Sequence, residues 1–292
     1  MRKIVINGSL FIFLVMASFF AYGQQLKAYQ LYDKNGIETD FGSLVQAASQ
    51  TDVVLFGELH NNPISHWLQL ELTMALHELK GNNLVLGMEM FESDDQLKID
   101  EYFSGLIAER NFRQDARFWN NYNTDIKPLV EFARENSLRL IATNIPRRYA
   151  ALVNREGFEG LERLSFEGKQ FVAPLPVAYD AELPAYKAML SMGGMSAHSN
   201  ENFPKAQAIK DATMAHFILK NFHADNVFIH FHGTYHSNNY EGIVWYLKQY
   251  RPQNRMVTIA TVEQQDVNAL DDQNKGLADF IIAIPNTMTK TY

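Results

Sequence analysis

Two tetrapeptides in the chain share one pattern, glycine, two residues, histidine: Gly57-Glu58-Leu59-His60 and Gly233-Thr234-Tyr235-His236. Each follows an apolar run that reads as a strand, and a third such run carries Glu89. Two imidazoles with one or two carboxylates suit either of two jobs. They can hold a divalent metal through nitrogen and oxygen ligands. They can also form an acid–base site in which a carboxylate orients an imidazole. In the first case His60, Glu89 and His236 hold zinc or manganese and Glu58 activates water. In the second, Glu58 and His60 are the catalytic residues of a hydrolase. Each residue also has a plainer reading: a glutamate after a strand caps the next helix or pairs with an arginine, and a lone histidine there is polar surface. Their joint placement favours the functional one.

Other residues fall near the same strand ends. Asn144 and Arg147 follow a further strand, where the planar fork of an arginine can hold a carboxylate or propionate, or pair with Glu58 or Glu89. Asp211, on a long helix, can tether a site histidine. His230 and His232 are two apart and share one strand face, where core packing with satisfied hydrogen bonds is as good a reading as ligation. His66, His77, His216 and His223 read as structural helix residues.

These side chains need a scaffold. The runs at 52–56, 84–91, 138–142, 227–231, 256–261 and 280–284 are near-continuously apolar and separated by helical stretches at 64–79, 93–103 (with Ser93 as N-cap), 125–136, 205–221 and 241–250. Strands without alternation are buried on both faces. The fold class is therefore α/β, a mostly parallel β-sheet with helices on both faces, with α+β as the alternative. In such sheets ligands bind outside the carboxyl ends of the strands, where both Gly-x-x-His segments fall. A glycine there lets the chain turn sharply. Glu89 reaches the same mouth if its strand neighbours the first. Residues 158–204, with Pro174, Pro176, Pro184 and Gly193-Gly194, break the alternation and read as an irregular, lid-like insertion containing Tyr179, Tyr186, Met195 and His198.

At the N-terminus, Arg2 and Lys3 precede an apolar run and the small residues around Ala21-Tyr22-Gly23. Residues 1–23 read as a cleaved signal peptide, with an uncleaved anchor as the alternative. Residues 24–292 then form a single domain. The chain has no cysteine, so no disulfide, thiolate site or lipidated cysteine is available. Removing the signal peptide takes the net charge from −7 to −9, which speaks against a nucleic-acid partner.

The segments Gly57-Glu58-Leu59-His60, Glu89-Met90-Phe91, Asn144-Ile145-Pro146, Asp211-Ala212-Thr213-Met214-Ala215 and Gly233-Thr234-Tyr235-His236, followed by Gly242-Ile243, resemble the ChaN-like haem-binding uptake family. That family belongs to the Tiki superfamily, with the erythromycin esterases and the TraB proteins. The resemblance runs from about Thr51 to Gln264. It implies an α/β fold and a haem-binding role in iron acquisition at the bacterial envelope. It also implies a tyrosine as haem ligand, with haems held between two subunits. Tyr179 and Tyr186 are the tyrosines considered, with His198 as a further haem-binding candidate. In Tiki relatives the paired motifs and the strand-end glutamate go with metal-dependent peptidase activity, which maps onto His60, His236 and Glu89. In the esterases a histidine of this cluster is a base. Family members can be lipoproteins, which this cysteine-free chain does not match.

The expected function is an exported haem-binding protein of the periplasm or outer envelope, with haem as cofactor, a homodimer as the implied assembly, and no lipid anchor. The alternatives are a metal-dependent hydrolase, peptidase- or esterase-like, and a non-catalytic binding module.

Overall fold

The computed structural model describes residues 26–192 and 201–292; the expected signal peptide, Met195 and His198 lie outside them. Eight strands form one sheet: β1 (Gln30–Asp33), β2 (Glu38–Thr39), β3 (Val53–Glu58), β4 (Leu84–Glu92), β5 (Arg139–Asn144), β6 (Val227–Gly233), β7 (Met256–Gln264) and β8 (Phe280–Pro285). Their order is β2-β1-β8-β7-β3-β6-β4-β5. The six from β8 to β5 are parallel, and β1 adds an antiparallel hairpin at one edge. The mostly parallel α/β architecture is the one the apolar runs predict. The hairpin and the helix Phe41–Ser49 were not among the predicted elements, because a four-residue and a two-residue strand carry too little periodicity to register.

Every residue of β3, β4 and β6 is buried. The sheet separates two apolar clusters. Phe56, Met88, Phe91 and Phe231 face the helix Pro63–Lys80 on one side. Leu55, Val85 and Phe228 meet Ile209, Met214 and Tyr246 on the other, from the helices Asn202–Asn221 and Ile243–Tyr250. Side chains alternate between faces along each strand, so neighbouring residues at a strand end serve different layers.

Four expectations change. The strands run on past their predicted ends and take in Glu58, Glu92, Asn144 and Gly233. Ser93 does not cap the helix Gln96–Phe103; its hydroxyl donates to the Phe171 carbonyl. His223 lies just beyond its helix, in the loop before β6. The stretch expected as an irregular insertion is partly ordered: it holds the helix Pro184–Met192, and Leu161, Val172, Ala173 and Tyr186 are buried. The outer edge of β5 is covered by one side chain. Gln96 donates to the Leu140 carbonyl and accepts from the Ala142 amide, as a neighbouring strand would.

Candidate functional site

β6 lies between β3 and β4, so the strand carrying Glu89 does not neighbour the one carrying Glu58. The residues still converge, because Gly233 sits between them. Its amide donates to Glu89 Oε2 at 2.7 Å. The His60 ring lies against its other side, so that a Cβ on Gly233 would stand 2.6 Å from His60 Nε2. Gly57 is crowded in the same way: a Cβ there would stand 2.8 Å from Thr234 Cα and 3.0 Å from the Ile259 carbonyl. Neither glycine has a positive φ. They supply room for close approach, where a sharp turn was expected.

Around the first histidine, Glu58 is the organiser. His60 Nδ1 donates to Glu58 Oε1 at 2.9 Å, and Gln69 donates to Glu58 Oε2 at 2.6 Å. The buried His66 ring lies 3.5 Å from the same oxygen and 3.2 Å from the His60 carbonyl. Asn121, itself bonded to Asp125, also donates to that carbonyl. The His60 side chain is 36% exposed, and its Nε2 faces the strand mouth. Burial opposes its charge, but the hydrogen bond that His60 donates to Glu58 and the Glu89 charge prevail and raise its pKa.

The second histidine is enclosed. His236 Nδ1 lies 2.5 Å from Asp211 Oδ1, and Nε2 lies 3.2 Å from Glu89 Oε1; its side chain is 6% exposed. Tyr186 donates to the other Asp211 oxygen at 2.9 Å. Burial works against a charged His236, yet the two carboxylates outweigh it and raise its pKa to about 10. Glu89 is held well below the usual carboxylate range: burial opposes this, and His236, His60 and the Gly233 amide overcome it. Burial wins at Asp211, whose carboxyl is pushed up. Burial and Asp211 push the Tyr186 phenol up as well, so it stays protonated. Beneath them, Thr143, His230 and His232 form a buried hydrogen-bonded row, with 2.7 Å between Thr143 and His230 and 2.9 Å between the two rings. Burial lowers the His230 pKa to about 3 and holds that of His232 well below the ordinary imidazole value, so both are neutral.

A cleft of about 710 Å³ opens over the cluster. His60, Glu89, Gly233 and His236 line it on one side, and Pro184, Ala185, Ala188, Met189, Phe203 and Leu277 give it apolar walls. Tyr235 also lines it and is 71% exposed. This tyrosine lies inside the second Gly-x-x-His segment but was not singled out, because nothing in the pattern marks which way its ring points. Tyr179 and Tyr186 lie outside that wall. They stack on each other at 5.6 Å, and the Tyr186 hydroxyl is committed to Asp211.

Asn144 donates to the Glu89 carbonyl. Arg147 does not pair with Glu58 or Glu89; its nearest carboxylate is Glu92, 3.6 Å from Nε. Among the described residues no group of three or more histidines and carboxylates is arranged to hold a metal ion. His60, Glu89 and His236, expected to hold zinc or manganese, therefore have no support as such a centre. The physical reason is that each His236 nitrogen already faces a carboxylate, and a protonated imidazole has no lone pair to give.

Comparison with known proteins agrees with this architecture. The family model described as haem-binding uptake, Tiki superfamily, ChaN matches residues 44–247. Among solved structures, cofacial haem binding to ChaN of Campylobacter jejuni superposes with a TM-score of 0.67 at 16% identity, covering 89% of this chain and 98% of that one. An erythromycin esterase mutant in its open conformation gives 0.50 at 10% identity, with 89% and 98% covered. A succinoglycan biosynthesis protein gives 0.50 at 12%, with 86% and 94% covered. At these identities the likeness is one of fold. No curated protein matches the chain.

Proposed function

The chain belongs to the haem-binding uptake family of the Tiki superfamily, ChaN, and from that premise we propose that it binds haem in the cleft above His60, Glu89 and His236. The observation that carries this reading is the cleft itself. Its size lies within the range of small-molecule sites, and its walls are apolar with a few polar groups converging at one end. A flat apolar macrocycle suits such walls. Tyr235, exposed in the cleft, is the tyrosine that would hold the iron, and the apolar residues of the helix Pro184–Met192 would pack against the ring. Tyr186 then serves His236 through Asp211. Haem, when bound, supplies the iron that the chain captures. The same reading takes residues 1–23 as a signal peptide and assigns the protein to iron uptake at the envelope, acting as a homodimer without a lipid anchor.

The test is a haemin titration of protein lacking residues 1–23, followed by absorption. A saturable Soret shift near one haem per chain is expected, weakened about tenfold or more in Tyr235→Phe and little changed in Tyr179→Phe. A shift that grows without saturation would sink the reading.

A second reading rests on a different observation. Glu58 holds His60 Nδ1, which leaves Nε2 free at the cleft floor. That is the arrangement of a general base oriented by a carboxylate. In a hydrolase working without metal, His60 would take a proton from water, the water oxygen would attack an ester carbonyl, and the proton would return to the leaving alcohol. Hydrolysis of a p-nitrophenyl ester in the presence of a chelator tests it. The rate should rise with pH as His60, whose pKa is raised, loses its proton, and should vanish in His60→Ala. A rate unchanged in that variant removes the reading.

A further inference from the structure

Beside the main cleft lies a second, smaller pocket of about 250 Å³, lined by Glu89, Glu92, Arg117, Trp119, Asn144 and Arg147 among others. The two share a wall. Glu89 borders both, and the His60 ring of the cleft packs edge-on against the Trp119 ring of the pocket, with centroids 4.6 Å apart. The apolar cleft does not need this pocket to hold a macrocycle, and the acid–base cluster does not touch its arginines.

Two arginines and two glutamates line the pocket, and three of the four are already engaged, Arg117 with Glu92 and Glu89 with His236. Glu92 is buried and already satisfied: Arg117 Nη1 donates to both of its oxygens at 3.1 Å. Arg147 is therefore surplus. It is 73% exposed, its Nε is beyond hydrogen-bond range of Glu92 at 3.6 Å, and its Nη groups make no hydrogen bond among the described residues. Its sequence neighbour behaves differently: Arg148 bonds Asp94 at 2.5 Å and lies over the Tyr149 ring. Arg147 also opens the helix Arg147–Glu156, whose first turn has no acidic residue and no side-chain cap. At this positive helix end Arg148 has Asp94 as its anion, while Arg147 has only the more distant Glu92, which Arg117 already holds. A planar fork with two free edges is the group that binds a carboxylate in a bidentate way.

We propose that this pocket is a carboxylate subsite for the ligand of the cleft, with Arg147 as its anchor and Arg117 and the helix start as support. The ligand is then amphipathic: an apolar body lies in the cleft, and a short acid-bearing arm passes Glu89 to reach Arg147. The inference rests on the haem reading to the extent that a propionate is that arm; a fatty carboxylate presents the same chemistry.

Two pairs of probes separate these sources. Haemin is compared with haemin dimethyl ester by Soret titration, and decanoate with methyl decanoate by calorimetry, on the wild type, Arg147→Ala and Arg147→Lys. Because Arg147 is exposed and Glu92 keeps Arg117, these variants should fold normally, which thermal melting checks. The acid should bind the wild type about tenfold more tightly than its ester, Arg147→Ala should erase that preference, and Arg147→Lys should restore part of it. The preference should shrink as salt is raised. If decanoate alone shows it, the subsite stands for a fatty carboxylate, and the haemin titration by itself decides the haem reading. If neither acid outbinds its ester, or if the preference survives Arg147→Ala, the subsite is overturned whether or not haemin binds.

Discussion

The two Gly-x-x-His segments begin from one four-residue pattern and end in opposite environments. His60 stands at the rim, held from one side by Glu58, with its second nitrogen toward the cleft. His236 is sealed below, each nitrogen against a buried carboxylate. The difference comes from the layers that meet each segment. The loop after β3 crosses to the helix Pro63–Lys80, whose Gln69 and His66 reach Glu58 and leave the histidine outside. The loop after β6 folds under the helix Asn202–Asn221, whose Asp211 takes the histidine inside. One histidine lines the cleft with a nitrogen not engaged by its carboxylate. The other supplies a buried positive charge that lets Glu89 and Asp211 lie close together, a task that belongs to stability.

The largest effect should separate them directly. His236→Ala leaves Glu89 and Asp211 buried without their shared cation and should cost about 3–5 kcal/mol. His60→Ala, at a partly exposed position, should cost about 1 kcal/mol or less. Urea unfolding of both variants checks this, and equal losses would break the distinction. At the same time His60→Ala should be the more damaging of the two to any ester hydrolysis, measured per folded molecule.

A smaller contrast lies in the glycines. Gly57→Ala would push against the backbone of Thr234 and Ile259, which cannot move away singly, and should cost about 2–3 kcal/mol. Gly233→Ala meets the end of the His60 side chain, which can swing outward, and should cost nearer 1 kcal/mol while displacing that ring. Melting temperatures rank the two, and the imidazole resonances of Gly233→Ala report whether His60 has moved. The reverse order would show that the His60 ring is held more firmly than its exposure implies.

A further contrast lies in the pH dependence of stability. The His236 pKa is raised from 6.5 to about 10 in the folded protein. Its contribution is therefore complete below about pH 6.5 and drains away as pH rises through about 10. Glu89 acts in the opposite sense. Its pKa is lowered by folding, so its contribution is present above the ordinary glutamate range and is lost as pH falls beneath it. Denaturation midpoints between pH 6 and 10 should fall toward the alkaline end in the wild type and still fall, with a somewhat smaller slope, in His60→Ala, which removes a second raised pKa. A slope that disappears in His60→Ala would assign the titration to the wrong histidine.

Much of the scaffold was legible because long apolar runs have few alternatives. β3, β4 and β6 are buried along their whole length, and that is why no alternation shows in their sequences. The residues that touch were legible only as a set. Glu58, His60, Glu89 and His236 stand out by type and by place after a strand, and Asp211 by being charged in an apolar stretch of helix. Strand order was not legible, since local pattern says nothing about which strand lies beside which; that β6 separates β3 from β4 follows from crossovers packing over the sheet. The shell around His60 was hidden for the same reason. His66 reads as one more helical histidine until its helix is laid against β3, and Asn121 and Asp125 come from a turn 61 or more residues away.

By itself the sequence determined the parallel α/β sheet, the family resemblance and the residue types gathered at the strand mouths, because each is written in local pattern or in short ordered motifs. Only the tertiary structure decided which histidine is exposed and which is enclosed, that Tyr235 lines the cleft while Tyr186 serves Asp211, and that Arg147 is surplus beside Glu92. Those outcomes depend on distances between residues far apart in the chain, and on how much water each charge loses when the layers close over it.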